Sequence, residues 1–175
     1  MKQTFIIFLT ALVVSCNTKK QPPAAVDLQP AETMDVADHT AKTDALPSFK
    51  MRNANGSAVN LNSFQGKKVM VNIWASWCPP CKREMPSIEK LYKSVDTSKV
   101  AFVLLSLDDS FDEALRYVSS RKLNLPVYYP AENLPLLFNV QSIPNTFIFD
   151  ESGKLVKHVE GADDFNTASY KELFK

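Results

Sequence analysis

Histidine and cysteine are scarce in this chain: two histidines, His39 and His158, and three cysteines, Cys16, Cys78 and Cys81, among 175 residues. A structural zinc site takes about four such ligands, so a Cys-x-x-Cys pair here has too few companions to be half of one. Glycine is limited to four residues, and these never cluster into a phosphate-cradling loop. Neither sign of charge dominates. Twenty Lys and Arg against 19 Asp and Glu leave +1, which asks for no nucleic acid and no acidic partner. The apolar stretch Phe5–Val14 is about half the length of a membrane-spanning helix. There are no internal repeats. What is present is enough apolar material for a proper core, 45% of residues, distributed unevenly enough to mark boundaries.

The first boundary closes a processing signal. Lys2 followed by the short apolar core of Met1–Ser15 has the form of a secretory signal. Val13-Val14-Ser15-Cys16 resembles the lipobox of bacterial lipoproteins. That resemblance implies that Cys16 is lipidated and becomes the new N-terminus; the alternative is an ordinary signal peptide with an incidental cysteine. In both cases the protein leaves the cytoplasm. Asn17 to Ala45 is rich in Pro, Ala, Thr, Asp and Gln and lacks the apolar periodicity to fold. Residues 16–45 therefore read as a lipidated cysteine and a flexible tether, with a reach of roughly 30 Å, and His39 as a solvated residue within it. Residues 46–175 form the folded domain.

That domain is arranged around Asn72 to Glu84. Val69-Met70-Val71-Asn72-Ile73-Trp74 is an apolar, β-branched run with the character of a strand buried on both faces. Beyond the cysteines, Met85, Ile88, Leu91, Tyr92 and Val95 recur at helical spacing. Cys78 and Cys81 thus sit where a buried strand turns into a helix, with Pro80 suited to the first helical turn. A thiolate on Cys78 would meet free N–H groups and the positive end of the helix, with Lys82 and Arg83 close behind. These are the conditions that lower a thiol pKa, and they make the pair a dithiol/disulfide redox site.

The flanking chain supplies an α/β architecture. Asn55-Gly56 is a hairpin turn between Phe49–Arg52 and Ser57–Leu61. Val100–Leu107 has the length and composition of a central parallel strand. Ser110 to Glu113 fits a capping box opening a helix toward Arg121 and Lys122. A short strand over Leu125–Tyr129 precedes a short helix over Asn133–Phe138, interrupted by Pro135. Thr146–Phe149 and Leu155–Glu160 form a second hairpin, and Asp163 or Asp164 is expected to cap a final helix. The order predicts a mixed sheet flanked by helices on both faces.

Trp77-Cys78-Pro79-Pro80-Cys81 at a strand–helix junction resembles the active site of the thioredoxin superfamily. Ile143-Pro144-Asn145-Thr146-Phe147, just before a strand, resembles that superfamily's cis-proline loop. With the tether, the N-terminal hairpin, the extra strand and helix between the motifs, and Glu84, the chain is similar to membrane-anchored thiol–disulfide oxidoreductases of the TlpA/ResA type. The resemblance implies a thioredoxin-like fold with an N-terminal β-hairpin extension, and roles residue by residue. Cys78 is the exposed attacking cysteine and Cys81 the buried resolving one. Glu84 is a buried carboxylate, which desolvation would raise in pKa and fit to take the proton of Cys81. Trp77, Pro79, Ile143 and Pro144 line the substrate surface, with the Ile143 backbone pairing with a substrate chain. Asn72 stands where thioredoxin has a buried Asp and cannot titrate, and Pro79 replaces a Gly.

This reading needs no organic cofactor and no metal, because the cysteines carry the two electrons. Its partners are exported proteins bearing disulfides, apocytochrome c being typical of the family, and a thiol donor that recharges the enzyme, expected to be a membrane electron carrier. The expected setting is a monomer anchored to a bacterial membrane, facing the periplasm. The same residues suit the oxidising direction equally. Other classes on the same fold are a copper metallochaperone, with His158 its one candidate helper in the domain, and a redox-silent peptide-binding module. A peroxidase of the peroxiredoxin type would want Thr or Ser where Ala75 stands.

Overall fold

The structure, a computed structural model, describes residues 44–175. The expected signal segment, the lipidation site Cys16 and His39 lie outside the described residues. The order is β1 (Lys50–Asn53), β2 (Ala58–Asn60), β3 (Lys68–Trp74), α1 (Pro79–Ser94), β4 (Val100–Ser106), α2 (Phe111–Ser120), β5 (Val127–Pro130), β6 (Asn145–Phe149), β7 (Leu155–Glu160) and α3 (Ala168–Leu173). Two 3₁₀ turns, Leu61–Phe64 and Leu136–Phe138, complete it. The strands form one mixed sheet in the order β2-β1-β5-β4-β3-β6-β7. β3, β4 and β5 run parallel, and the hairpins β1–β2 and β6–β7 pair antiparallel at the two ends.

The apolar runs explain the centre of the sheet. β4 is buried along its whole length, and β3 from Val69 onward, so strict alternation of apolar and polar residues is absent from them. Their side chains still alternate between faces. Met70, Trp74, Phe102 and Leu104 join a cluster completed by α1, α2 and α3 through Ile88, Val118 and Tyr170. Val69, Val71, Ile73, Val103 and Leu105 join a second cluster with Met51, Leu61, Phe138 and Phe147. The α-helices thus all supply one face, where helices on both were expected, and the 3₁₀ turns cover the other.

Local chemistry sets the turns. Gly56 takes φ +79° between β1 and β2, a left-handed conformation costly for a residue with a Cβ, while the Asn53 side chain accepts the N–H groups of Asn55 and Ser57. Gly153, at φ +83°, turns β6 into β7, where an added Cβ would stand 3.4 Å from the Leu46 side chain. Ladder pairing reaches two residues further back than Leu46: Ala45 bridges Lys154, and Asp44 accepts the Leu155 N–H.

Three local expectations are corrected. Only the Ser110 half of the capping box forms, its hydroxyl accepting the Asp112 N–H at 3.2 Å. Pro135 precedes its short helix rather than interrupting it, because its fixed φ suits the residue before the first turn, and the turn itself covers only Leu136–Phe138. The last helix begins at Ala168 after Thr167, not at Asp163 or Asp164. Those two aspartates lie in the loop after β7, where the Asp164 side chain accepts the Asn166 N–H.

Phe138 joins the 3₁₀ turn to the sheet, with its ring 5.2 Å from Phe147, 6.4 Å from Phe49 and 6.5 Å from Phe149. Removing a fully buried ring leaves a cavity, so Phe138→Ala should lower the unfolding free energy by about 3–5 kcal/mol, read as a shift in the urea midpoint.

Candidate active site

β3 ends at Trp74, and Ala75-Ser76-Trp77 turns the chain into α1, with Cys78 at the cap position. Pro79 and Pro80 occupy the first two helical positions and have no N–H. The Lys82 N–H bonds the Cys78 carbonyl. The Cys81 N–H is then the one uncommitted donor of the first turn, and it points at Cys78 Sγ from 3.2 Å. The prolines concentrate the electropositive end of the helix on a single sulfur atom. Cys78 and Cys81 form a disulfide; Cys81 is fully buried as expected, while Cys78, expected to be exposed, is only 3% exposed because the disulfide and the Ile143 loop cover it.

The turn is held from the neighbouring strand. Asp108, buried just past β4, accepts the Ser76 N–H at 3.0 and 3.1 Å and the Ser76 hydroxyl at 2.7 Å. The Ser106 hydroxyl donates to the same carboxylate at 2.7 Å. A hydrogen-bonded carboxylate thereby replaces lost water with three protein donors.

Opposite the disulfide, the Ile143–Pro144 peptide bond is cis, and the Ile143 carbonyl lies 3.7 Å from Cys78 Sγ. A disulfide sulfur has no proton to donate, so this is a contact and not a hydrogen bond. An apolar groove of about 400 Å³ opens there, lined by Trp77, Pro79, Pro80, Leu107, Val140 and Ile143 among others. Trp77 stands 60% exposed at its rim.

One turn below Cys81, Glu84 is 3% exposed. Its Oε1 accepts from Asn72 Nδ2 at 2.8 Å and its Oε2 from the Asp163 N–H at 3.3 Å. Asn72 Nδ2 also donates to Thr146 Oγ1 at 2.8 Å. Burial pushes the Glu84 carboxyl from 4.5 up to about 7, against the opposing pull of its hydrogen bonds to Asn72 and Asp163. Asp163 in turn accepts from the Tyr170 hydroxyl at 2.5 Å.

The Redoxin family model matches residues 41–173. The chain belongs to the Redoxin family. Among its relatives, the thiol-disulfide oxidoreductase ResA of Bacillus subtilis (strain 168) is 32% identical over 116 residues, 66% of this chain and 65% of that protein. The thioredoxin-like protein YneN of the same organism is 34% identical over 110 residues, 61% of this chain and 64% of that protein. The chain spans just under two thirds of the length of these relatives. The crystal structure of StoA from Bacillus subtilis shares the fold, with a TM-score of 0.63 at 24% identity over 75% of this chain and 99% of that one. A thiol:disulfide interchange protein from Bacteroides sp. does likewise, with a TM-score of 0.66 at 20% identity over 78% and 91%. The sheet and helices are thioredoxin-like, and the chain is a ResA-like member of that superfamily.

In this Redoxin-family chain, Trp77, Cys78, Pro79 and Ile143 line one groove, with Pro144 in the loop facing it and Cys81 and Glu84 beneath on α1. Asp108, Thr146 and Ser76 were not singled out by the sequence. A faint signal exists for Asp108: it follows a buried parallel strand, and the carboxyl ends of such strands are where sites form. His158 bonds Asn145 through Nε2 at 2.5 Å, and among the described residues no three Cys, His, Asp or Glu side chains converge as a metal-ligand set.

The Glu84 environment has a consequence for stability. The folded protein keeps this proton up to about pH 7, whereas the unfolded chain releases it near 4.5, so between those values the folded state binds more protons. The stability contributed is full below about 4.5 and falls as pH rises toward about 7, by about 3 kcal/mol at most. Glu84→Gln should flatten this segment of the stability curve, seen by comparing urea midpoints of both proteins at about pH 5 and about pH 8.

Proposed function

We propose that the protein is an exported thiol–disulfide oxidoreductase that reduces disulfides in other exported proteins. The observation that carries the reading is the disulfide between the helix-capping Cys78 and the buried Cys81, facing the Ile143–Pro144 loop. In the reduced enzyme, the Cys78 thiolate attacks one sulfur of a substrate disulfide; the other substrate sulfur leaves as a thiolate and takes a proton from water. Cys81 gives its proton to the Glu84 carboxylate and attacks Cys78 Sγ, which releases the second substrate thiolate. Two electrons have passed to the substrate, and the enzyme is left with the Cys78–Cys81 disulfide.

A carboxyl poised near neutrality suits this proton transfer, since it can both accept the proton and return it. The apolar groove beside Cys78 suits an extended chain lying on the Ile143 backbone, with Trp77 and Pro79 flanking the sulfur. Recharging requires a two-electron thiol donor, which we assign to a membrane electron carrier. Apocytochrome c is the substrate that the family setting suggests. Cys81→Ser should leave an attacking thiolate without a resolving partner and accumulate mixed disulfides with exported proteins, visible on non-reducing gels. Trapping by Cys78→Ser instead would reverse the assigned roles.

The address belongs to the same proposal. Residues 1–15 are a lipoprotein signal, Cys16 carries the lipid, and the tether to the membrane, expected to run to residue 45, ends before Asp44, where pairing with the domain begins. The position of Cys16 directly after the apolar core supports it. Cys16→Ala should move the protein from the membrane to the soluble extracytoplasmic fraction with the redox chemistry of the domain kept; unchanged membrane retention would sink the anchor.

A further inference from the structure

Behind the cis-proline loop lies a second cavity, about 240 Å³, which shares Val140, Gln141 and Ser142 with the groove at Cys78. Its floor is a hydrogen-bonded chain. The Ser142 carbonyl can only accept, so the Asn145 group facing it at 2.9 Å is the Nδ2 donor. Asn145, 3% exposed, therefore turns its Oδ1 toward His158, whose Nε2 lies 2.5 Å away and must carry the proton. With Nε2 committed to Asn145, Nδ1 is the ring nitrogen left facing the opening. Stacking on Phe147, with centroids 4.3 Å apart and planes at 11°, holds the ring in place.

Nδ1 looks toward Glu160, whose Oε1 lies 4.0 Å away. At that distance no hydrogen bond joins the two, and both face one opening. Among the described residues no lysine or arginine pairs with Glu160. The cavity thus presents a carboxylate, an imidazole nitrogen and apolar walls from Leu136 and Val140. These walls suit a long aliphatic stem ending in a charged donor.

We propose that this cavity is a second substrate subsite, which takes a lysine or arginine side chain of the disulfide-bearing chain. The inference rests on the oxidoreductase reading. A polypeptide paired with the Ile143 backbone would have its cystine at the apolar groove and a neighbouring side chain across Gln141 and Ser142, over His158 and Glu160. The enzyme then selects among disulfides by a basic residue flanking the reactive cysteine. Because Glu160 is largely exposed, the preference is that of a half-solvated ion pair, about fivefold.

The test uses short peptides closed by one disulfide, with lysine scanned through the positions beside the cysteine and norleucine or glutamate as replacements. The readout is the ratio of kcat/KM for the lysine peptide to that for its norleucine counterpart, in which any general loss of activity cancels. The expected ratio is about five in the best register for the wild-type protein and about one for Glu160→Gln. Glu160→Lys should move the preference to the glutamate peptide. Reduction of all peptides at equal rates by the wild type, or a lysine preference that survives Glu160→Gln, overturns the subsite and leaves the reductase reading standing. Failure to reduce any peptide overturns both.

Discussion

The site depends on one hydrogen-bond donor, the Cys81 N–H, being held 3.2 Å from Cys78 Sγ. Helix N-termini ordinarily offer several free N–H groups, but Pro79 and Pro80 withdraw two of them. The helix must then be aimed accurately, because no second donor compensates for a rotation. The surrounding structure does the aiming. β3, buried on both faces, fixes where the chain enters the turn. Asp108 grips Ser76 by both its N–H and its hydroxyl, so the register of β3 against β4 is transmitted to the first residues of the turn. The Ile143–Pro144 loop closes the opposite side.

Glu84 shows how the fold keeps a costly group. A carboxylate withdrawn from water is unfavourable unless hydrogen bonds replace the lost solvation. Asn72 and the Asp163 N–H supply two donors, and the balance still favours the protonated form up to about pH 7. The position of Glu84 relative to Cys81 is a property of the helix itself, three residues or about 4.5 Å of rise along one face. Asn72, on the neighbouring strand, cannot titrate, and its contribution is to hold the glutamate with a neutral donor.

β6 links the two sides of the sheet through simple alternation. Thr146 faces the α-helices and joins Asn72, while Asn145 faces the other way and joins His158. Consecutive residues after the cis-proline therefore serve the buried carboxylate and the cavity behind the loop. Cross-strand pairing of Asn145 with Glu160 and Phe147 with His158 brings the cavity's polar groups to the same end of the sheet as the disulfide.

Much of this was legible in residue order alone. Two cysteines between a buried strand and an amphipathic helix, a proline loop before a late strand, and a glutamate on the inward stripe of the helix are local patterns, and periodicity of 2 or 3.6 residues determines which way such side chains point. The hairpin at Asn55-Gly56 and the parallel strand over Val100–Ser106 were likewise written locally, in turn chemistry and in an unbroken apolar run. Other features had no local expression. Asp163 has the look of a helix cap, yet its N–H serves Glu84 79 residues away. Asp108, Thr146 and Asn145 are common polar residues whose meaning comes from the strand that ends beside them. The sequence by itself determined the chemistry available, through the types and spacings of residues within single elements. Only the tertiary structure decided which polar groups lose water together and so share protons, because that depends on register between strands far apart in the chain.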